Sequence, residues 1–271
     1  LAVAKPMRGS ADDPDGVSHD PWHEVPEIIA EIGMPVFPDV RFPITDFGAS
    51  ADGKAEVTEA IREAIAACAA AGGGRVVVPV GEYLTGPIHL RSDVELHLED
   101  GAVLRFVRDP RAYLPVVLTR WEGVELMNYS PLVYAHGESN IAITGSGTLD
   151  GQAGPEHWWP WKRGGHPQSQ RPDRDRLFAQ AEAGVDVEDR VYGEGHYLRP
   201  SFVQPYRCRH VLIEGVTITN APMWLIHPVL SENVIVRNVR VVSSGPNNDG
   251  CNPESSRNVL IEDSLFDTGD D

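Results

Sequence analysis

Three segments near the end of the chain repeat one pattern: RHVLIEGVTI, ENVIVRNVRV and RNVLIEDSLF. They align on Val211, Val234 and Val259, at spacings of 23 and 25 residues (234 − 211, 259 − 234). Each reads polar, Val, any residue, Ile or Val, any residue, polar, and then a second alternating strand. An echo at this period, built from short strands, is the signature of a solenoid. One unit cannot bury its own inward side chains. Stacked units can, because each coil lies roughly 4.8 Å from the next and hydrogen-bonds to it. The inward Val and Ile then form an apolar column. Asn233, Asn238 and Asn258 fall at bends, where Asn accepts left-handed backbone. The same alternation, punctuated by Gly, Pro or Asp, occurs earlier in GGRVVVPVGEYLTGPIHL, SDVELHLEDGAVLRF and SNIAITGSGTLDG. Almost no helix is expected after residue 72, which excludes a doubly wound α/β fold. A β-sandwich would not require the echo. The fold expected is all-β, a parallel β-helix.

One convincing long helix is expected, from about Thr58 to Ala71. Ala60, Ile61, Ala64, Ile65 and Cys68 recur at helical spacing, Thr58 is a candidate N-cap, and Gly72–Gly74 end it. Its single apolar face must cover something, and capping the N-terminal end of the β-helix is the natural role. Residues 1–40, rich in Pro and Asp with an apolar patch at PEIIAEIG, read as an N-terminal extension with a flexible first stretch. Residues 41–271 read as the β-helix domain, interrupted at about 151–200 by an insertion of the kind that shapes a binding face.

Composition narrows the partners. Hydrophobic residues make up 41% of the 271, enough for a core, and 40 acidic against 23 basic residues give a net charge of −17. That argues against nucleic acid and anionic membranes as general partners, while leaving room for a local basic cleft. No run approaches the roughly 18 apolar residues of a membrane span. Cys68, Cys208 and Cys251 are too few and scattered for a disulfide framework and lack metal-ligand spacing, so they read as small buried hydrophobes.

The candidate chemistry lies at the end of the sequence. Asp249 and Asp270 are 21 residues apart (270 − 249), close to one coil. Residues one coil apart lie side by side, so Asp249 is expected beside the Asp270–Asp271 pair. Three crowded carboxylates resist ionising together, and a retained proton is the condition for a general acid. Its ionised partners could orient water, the division of labour an inverting glycosidase needs. A calcium site and a solvated acidic face are the competing readings of the same spacing.

The residues also carry a resemblance. NNDG at Asn247–Gly250 followed by DTGDD at Asp267–Asp271 resembles the paired Asp motifs of glycoside hydrolase family 28, the polygalacturonases. ITDFGASADGK, GGGRVVVPVGEYLTGPIHL, TRWEGVELMNYSPLVYA and GVTITNAPMWLIHP resemble other parts of that family, so the likeness runs from about residue 40 to the end. It implies a right-handed β-helix that hydrolyses α-1,4-linked galacturonan with inversion, with a pectic polysaccharide or oligogalacturonide as partner and no metal or other cofactor required. By position it implies Asp270 as general acid and Asp249 and Asp271 as the pair activating water, with Asn247 in the same motif. It implies a secreted or periplasmic setting, and the start, LAVAKPMRGS, could be what remains after a signal peptide. Asn248 stands where the family usually has Thr, and Ala153 where Gly is frequent. The later G-H-G and R-I-K motifs find no match, so the chain reads as an N-terminal portion, incomplete at the C-terminal end of the β-helix and of doubtful activity as it stands.

Other residues have two readings each. His227 could contact substrate or be a packed structural histidine. Asp150 reads as a turn former. Trp158, Trp159 and Trp161 could stack on sugar rings or fold the insertion onto the body. Arg163 and its neighbours Arg171, Arg174 and Arg176 could attract galacturonate carboxylates or be a solvated run. An insertion walling one end of a cleft would favour exo over endo cleavage. The rival functions are a calcium-dependent polysaccharide lyase and a non-catalytic carbohydrate-binding β-helix.

Overall fold

A computed structural model describes residues 21–271. Residues 1–20, on which the expected flexible stretch and the expected leader remnant fall, lie outside the described residues. From residue 41 onward the chain winds through three parallel sheets per coil. The first sheet stacks seven strands: Arg41–Pro43, Gly74–Val78, Val94–Leu98, Ser139–Gly145, Arg209–Glu214, Glu232–Arg237 and Arg257–Glu262. The second stacks another seven, from Asp52–Glu56 to Leu265–Thr268. The third holds Ile88–His89, Val133–His136 and Val203–Tyr206, and bridges continue it through Ile226 and Cys251 and through Val229 and Glu254. This is a parallel β-helix.

The register agrees with the sequence echo. Val211 pairs with Val234, and Val234 with Val259. Ile141 joins the same row through Val211. Ile143, Ile213 and Val236 form the neighbouring row, and both rows are buried in the central core as far as residue 236. The bends obey the expected backbone chemistry: Asn233, Asn238 and Asn258 have φ of 58°, 53° and 53°, and Asn258 Nδ2 donates to Asn233 Oδ1 at 2.9 Å. Where the first sheet turns into the second, Gly145, Gly215, Asn238 and Asp263 all take positive φ, so one left-handed corner repeats coil after coil.

Helix α2 (Thr58–Ala70) buries Ala60, Ile61, Ala64, Ile65 and Cys68 in the same core as the first coils. Its apolar stripe thus seals the N-terminal mouth of the bore. The N-cap differs from expectation. Val57 occupies that position without a side-chain cap, and the Thr58 hydroxyl instead donates to Glu56 and accepts from the Gly86 amide at 2.6 Å, tying the helix to the next coil. Upstream, α1 (Val25–Ile32) and the arm after it lie on the outer face of the first sheet. Ile32 and Phe37 pack against Ala142, Leu212, Ile235 and Leu260. Asn140 grips the Val36 backbone from both sides, accepting from its amide and donating to its carbonyl.

Two interruptions depart from the bare coil. Residues 107–132 carry an antiparallel hairpin, Val117–Trp121 with Val124–Asn128. Residues 151–202 carry α3 (Arg171–Glu182), a second long helix where almost none was expected. Its sequence, RPDRDRLFAQAE, is polar nearly all round and buries only Asp173 and Leu177, so no apolar stripe announced it. Both interruptions leave the coil at one corner, between the second and third sheets.

Candidate active site

That same corner holds the acidic cluster. Ser243 pairs with Thr268 across 25 residues, yet the Gly250 amide donates to the Asp271 carbonyl at 2.7 Å, across only 21. The turn 244–249 is four residues longer than the matching 269–270. The excess length folds outward as a small loop and brings residue 249 back level with Asp271. The expected juxtaposition is therefore present, although 21 is a coil shortened by a longer turn rather than the coil length itself.

The three carboxyls meet different surroundings. Asp249 is 8% exposed, whereas Asp270 and Asp271 are exposed. Asp249 Oδ2 accepts from Asn252 Nδ2 at 2.9 Å, while Asp249 Oδ1 and Asn252 Oδ1 are buried acceptors with no donor. Burial first, and then the charges of Asp270 and Asp271 against the opposing Asn252 hydrogen bond, hold the Asp249 carboxyl above the ordinary carboxylate value. Asn247, with φ of 54°, sits at the tip of the loop, and its Nδ2 faces Asp270 Oδ2 at 3.4 Å.

The loop is held from inside by Asn248, which stands where the resemblance leads one to expect Thr. Asn248 is fully buried. Its Oδ1 accepts from the Ser243 hydroxyl and the Gly245 amide, and its Nδ2 donates to the Ala221 and Met223 carbonyls. All four hydrogen bonds of the amide are thus made, which a Thr could not reproduce.

The remaining candidates separate. His227 is fully buried and does not reach the surface. Its Nε2 meets Glu254 Oε2 at 2.9 Å, its Nδ1 meets Gln204 Nε2 and Ser201 Oγ at 2.9 and 3.0 Å, and Trp224 packs edge-on against the ring. Gln204 can only donate from Nε2, so Nδ1 accepts and Nε2 carries the proton toward Glu254. Burial lowers the pKa of His227 despite Glu254, fitting a neutral structural ring rather than a substrate contact. Trp158 also leaves the substrate-binding set. It is buried among Tyr113 and Trp161, at ring separations of 5.5 and 4.8 Å, so it folds the insertion onto the body. Trp159 is the one of the three that borders the site. Its indole edge lies where a Cβ on Gly245 would stand, 2.2 Å away, and its Nε1 donates to the Ala221 carbonyl. Arg163 is exposed in the turn after Trp159–Lys162. Asp150 is a turn former, accepting from the Gln152 amide and from Asn220 Nδ2. Cys68 and Cys208 are buried, Cys251 is half-buried, and all three thiols are free, pushed by burial to about 11, 11 and 12. Among the described residues no group of three His, Cys, Asp or Glu is arranged to hold a metal ion.

Two features escaped sequence reading. The hairpin roofs the outer face of the third sheet: the Tyr134 hydroxyl donates to the Leu118 carbonyl, Thr119 to Gln204, and the Tyr206 hydroxyl to Glu125, while Arg120 Nε pairs with Glu254 at 3.0 Å. The second is Arg199, a fully buried arginine behind the 244–249 loop. Neither carries a local signal, because both depend on chain segments far apart.

Comparison with known proteins places this geometry. Residues 192–271 match the family described as Glycosyl hydrolases family 28, and residues 42–97 match Rhamnogalacturonase A/epimerase, pectate lyase-like. A Probable polygalacturonase of Vitis vinifera is 29% identical over 239 residues, 84% of this chain and 42% of its own length. The Exo-poly-alpha-D-galacturonosidase of Dickeya chrysanthemi is 31% identical over 253 residues, 84% of this chain and 40% of its own. Among solved structures, a hyperthermoactive Exopolygalacturonase from Thermotoga maritima superposes with a TM-score of 0.87 at 55% identity, covering 91% of this chain and 57% of that one. The chain thus spans about half the length of the relatives it matches.

Proposed function

We propose that this chain, which belongs to glycoside hydrolase family 28, carries the acidic site of an enzyme that hydrolyses α-1,4-linked galacturonan from a chain end, with inversion. The observation that carries the reading is the loop 244–249, which sets a buried Asp249 of raised pKa level with Asp271 and turns Asn247 to Asp270. Water attacks the anomeric carbon as the glycosidic carbon–oxygen bond breaks. Asp270 supplies the proton taken by the leaving oxygen, and Asp249 with Asp271 accepts the proton lost by water. Exchange with solvent restores both. A carboxylate of raised pKa is a stronger base once ionised, which suits Asp249 to that task.

Exo action is supported by the hairpin. The third sheet is the surface that leads away from Asp249 toward earlier coils, and the hairpin covers it at Tyr134, Gln204 and Tyr206. A polymer entering the site cannot continue in that direction. In this reading the insertion at 151–200 forms a second wall. The domain division at residue 40, the substrate-facing role of Arg163 and an extracellular or periplasmic setting belong to the same proposal; among the described residues no helix is long and apolar enough to cross a membrane.

The test is digestion of polygalacturonate by the protein expressed from its natural reading frame, following both reducing ends and product sizes. Mono- or digalacturonate is expected from the first time points, with Asp270→Asn lowering kcat by at least about 100-fold. A ladder of intermediate oligomers would reject exo action. An unsaturated, ultraviolet-absorbing product suppressed by chelator would reject hydrolysis.

A further inference from the structure

Arg199 enters no step of the chemistry above and is among the largest fully buried side chains described. Its Nε donates to Gln170 Oε1 at 2.9 Å, next to the start of α3. One terminal nitrogen donates to the Pro222 carbonyl at 2.8 Å and to the Pro246 carbonyl at 2.7 Å, and the other to Asn247 Oδ1 at 2.8 Å. Its own carbonyl accepts from Trp121 Nε1 of the hairpin at 3.1 Å. One residue therefore ties together the insertion, the hairpin, the preceding coil and the loop bearing Asn247 and Asp249. No carboxylate touches it, and burial lowers its pKa to about 10 against the more distant Glu122 and Asp249. Burying a guanidinium on neutral acceptors is costly, and a fold needing only to fill this space would do better with an apolar side chain.

The hydrogen-bond chemistry says what the arrangement accomplishes. A guanidinium has donors and no acceptor, so the Asn247 atom facing it must be the oxygen. That choice turns the NH2 of the same amide outward, toward Asp270 Oδ2. Without Arg199 the amide could flip and present its oxygen, leaving two acceptors opposed. We infer that Arg199 is a positioning residue, acting through Asn247: it fixes the amide orientation and the loop that together set the Asp270 carboxylate against Asp249. The inference rests on the proposed reading of this corner as the catalytic site. It also makes the two interruptions part of the site's support, since both hold the arginine in place.

Arg199→Lys keeps the charge but has three donors on one nitrogen, so it cannot serve Gln170, Pro222, Pro246 and Asn247 together. In the protein expressed from its natural reading frame it is expected to lower kcat on polygalacturonate about 10-fold or more while KM stays within about threefold. In an Asn247→Ala background the same change should cost less than about threefold, because the residue it acts through is gone. Should Arg199→Lys fail to fold, Gln170→Ala, which frees Nε alone, takes its place. A loss of thermal stability with kcat unchanged, or full additivity with Asn247→Ala, overturns the proposal. If the wild-type protein leaves polygalacturonate intact, the functional reading has failed, and this inference is then decided by NMR of the Asn247 side-chain amide. Slow hydrogen exchange in wild type that is lost in Arg199→Lys supports it; equal exchange in both overturns it.

Discussion

At the scale of single residues, burial separates side chains that the sequence lists as equals. Asp249 is buried, and both its Oδ1 and the Oδ1 of neighbouring Asn252 are acceptors without a donor. Its folded pKa lies above the ordinary 3.8. The folded state therefore holds that proton more tightly than the unfolded chain does. The resulting stabilisation is complete below the ordinary value and is lost as pH rises through the folded one. Asp249→Asn is accordingly expected to raise the thermal unfolding midpoint at pH 7 while removing activity, and the stability gain should vanish near pH 3; parallel melts at the two pH values check it. His227 gives the opposite case. Its ring completes a buried network with Glu254, Gln204 and Ser201, so His227→Ala should cost roughly 3 kcal/mol in denaturant unfolding. A residue that merely touched substrate would leave unfolding unchanged and raise KM.

At the scale of elements, the strands and their corners were legible and the interruptions were not. The Val211, Val234 and Val259 alignment is the pairing observed, because a stacked coil puts one residue of each repeat at one place in the bore. The left-handed corners follow from the same stacking. At Gly145, φ is 101° and an added Cβ would stand 1.9 Å from the Leu98 carbonyl oxygen of the preceding coil. Gly145→Ala is expected to destabilise the protein by at least about 3 kcal/mol, measured by chemical denaturation. Helix α3 and the hairpin give no comparable signal. The helix lacks an apolar stripe, and the hairpin's alternation reads like one more rung until its antiparallel pairing is seen.

At the scale of the whole molecule, the net charge opposes an anionic substrate. A chain of net charge −17 repels a polyanion at distances beyond its short-range contacts, and salt screens that repulsion within a Debye length of about 10 Å at 0.1 M. For a galacturonan substrate, KM should therefore fall severalfold between about 10 and 100 mM NaCl; a rise would mean that local cations dominate. The coil supplies a common axis, and one corner gathers everything that varies: two interruptions, a lengthened turn and the acidic cluster.

The sequence by itself determined the solenoid, its register and the helix sealing its mouth, because a periodic chain stacked at fixed spacing converts residue number into position; it brought Asp249 to the neighbourhood of Asp270 and Asp271, and the longer 244–249 turn made the match. Tertiary structure alone decided that burial raises the Asp249 pKa, that His227 and Trp158 are interior, that a hairpin covers part of the third sheet and that Arg199 stands behind Asn247. Burial and donor geometry are set by segments up to about a hundred residues apart, and no period in the sequence encodes them.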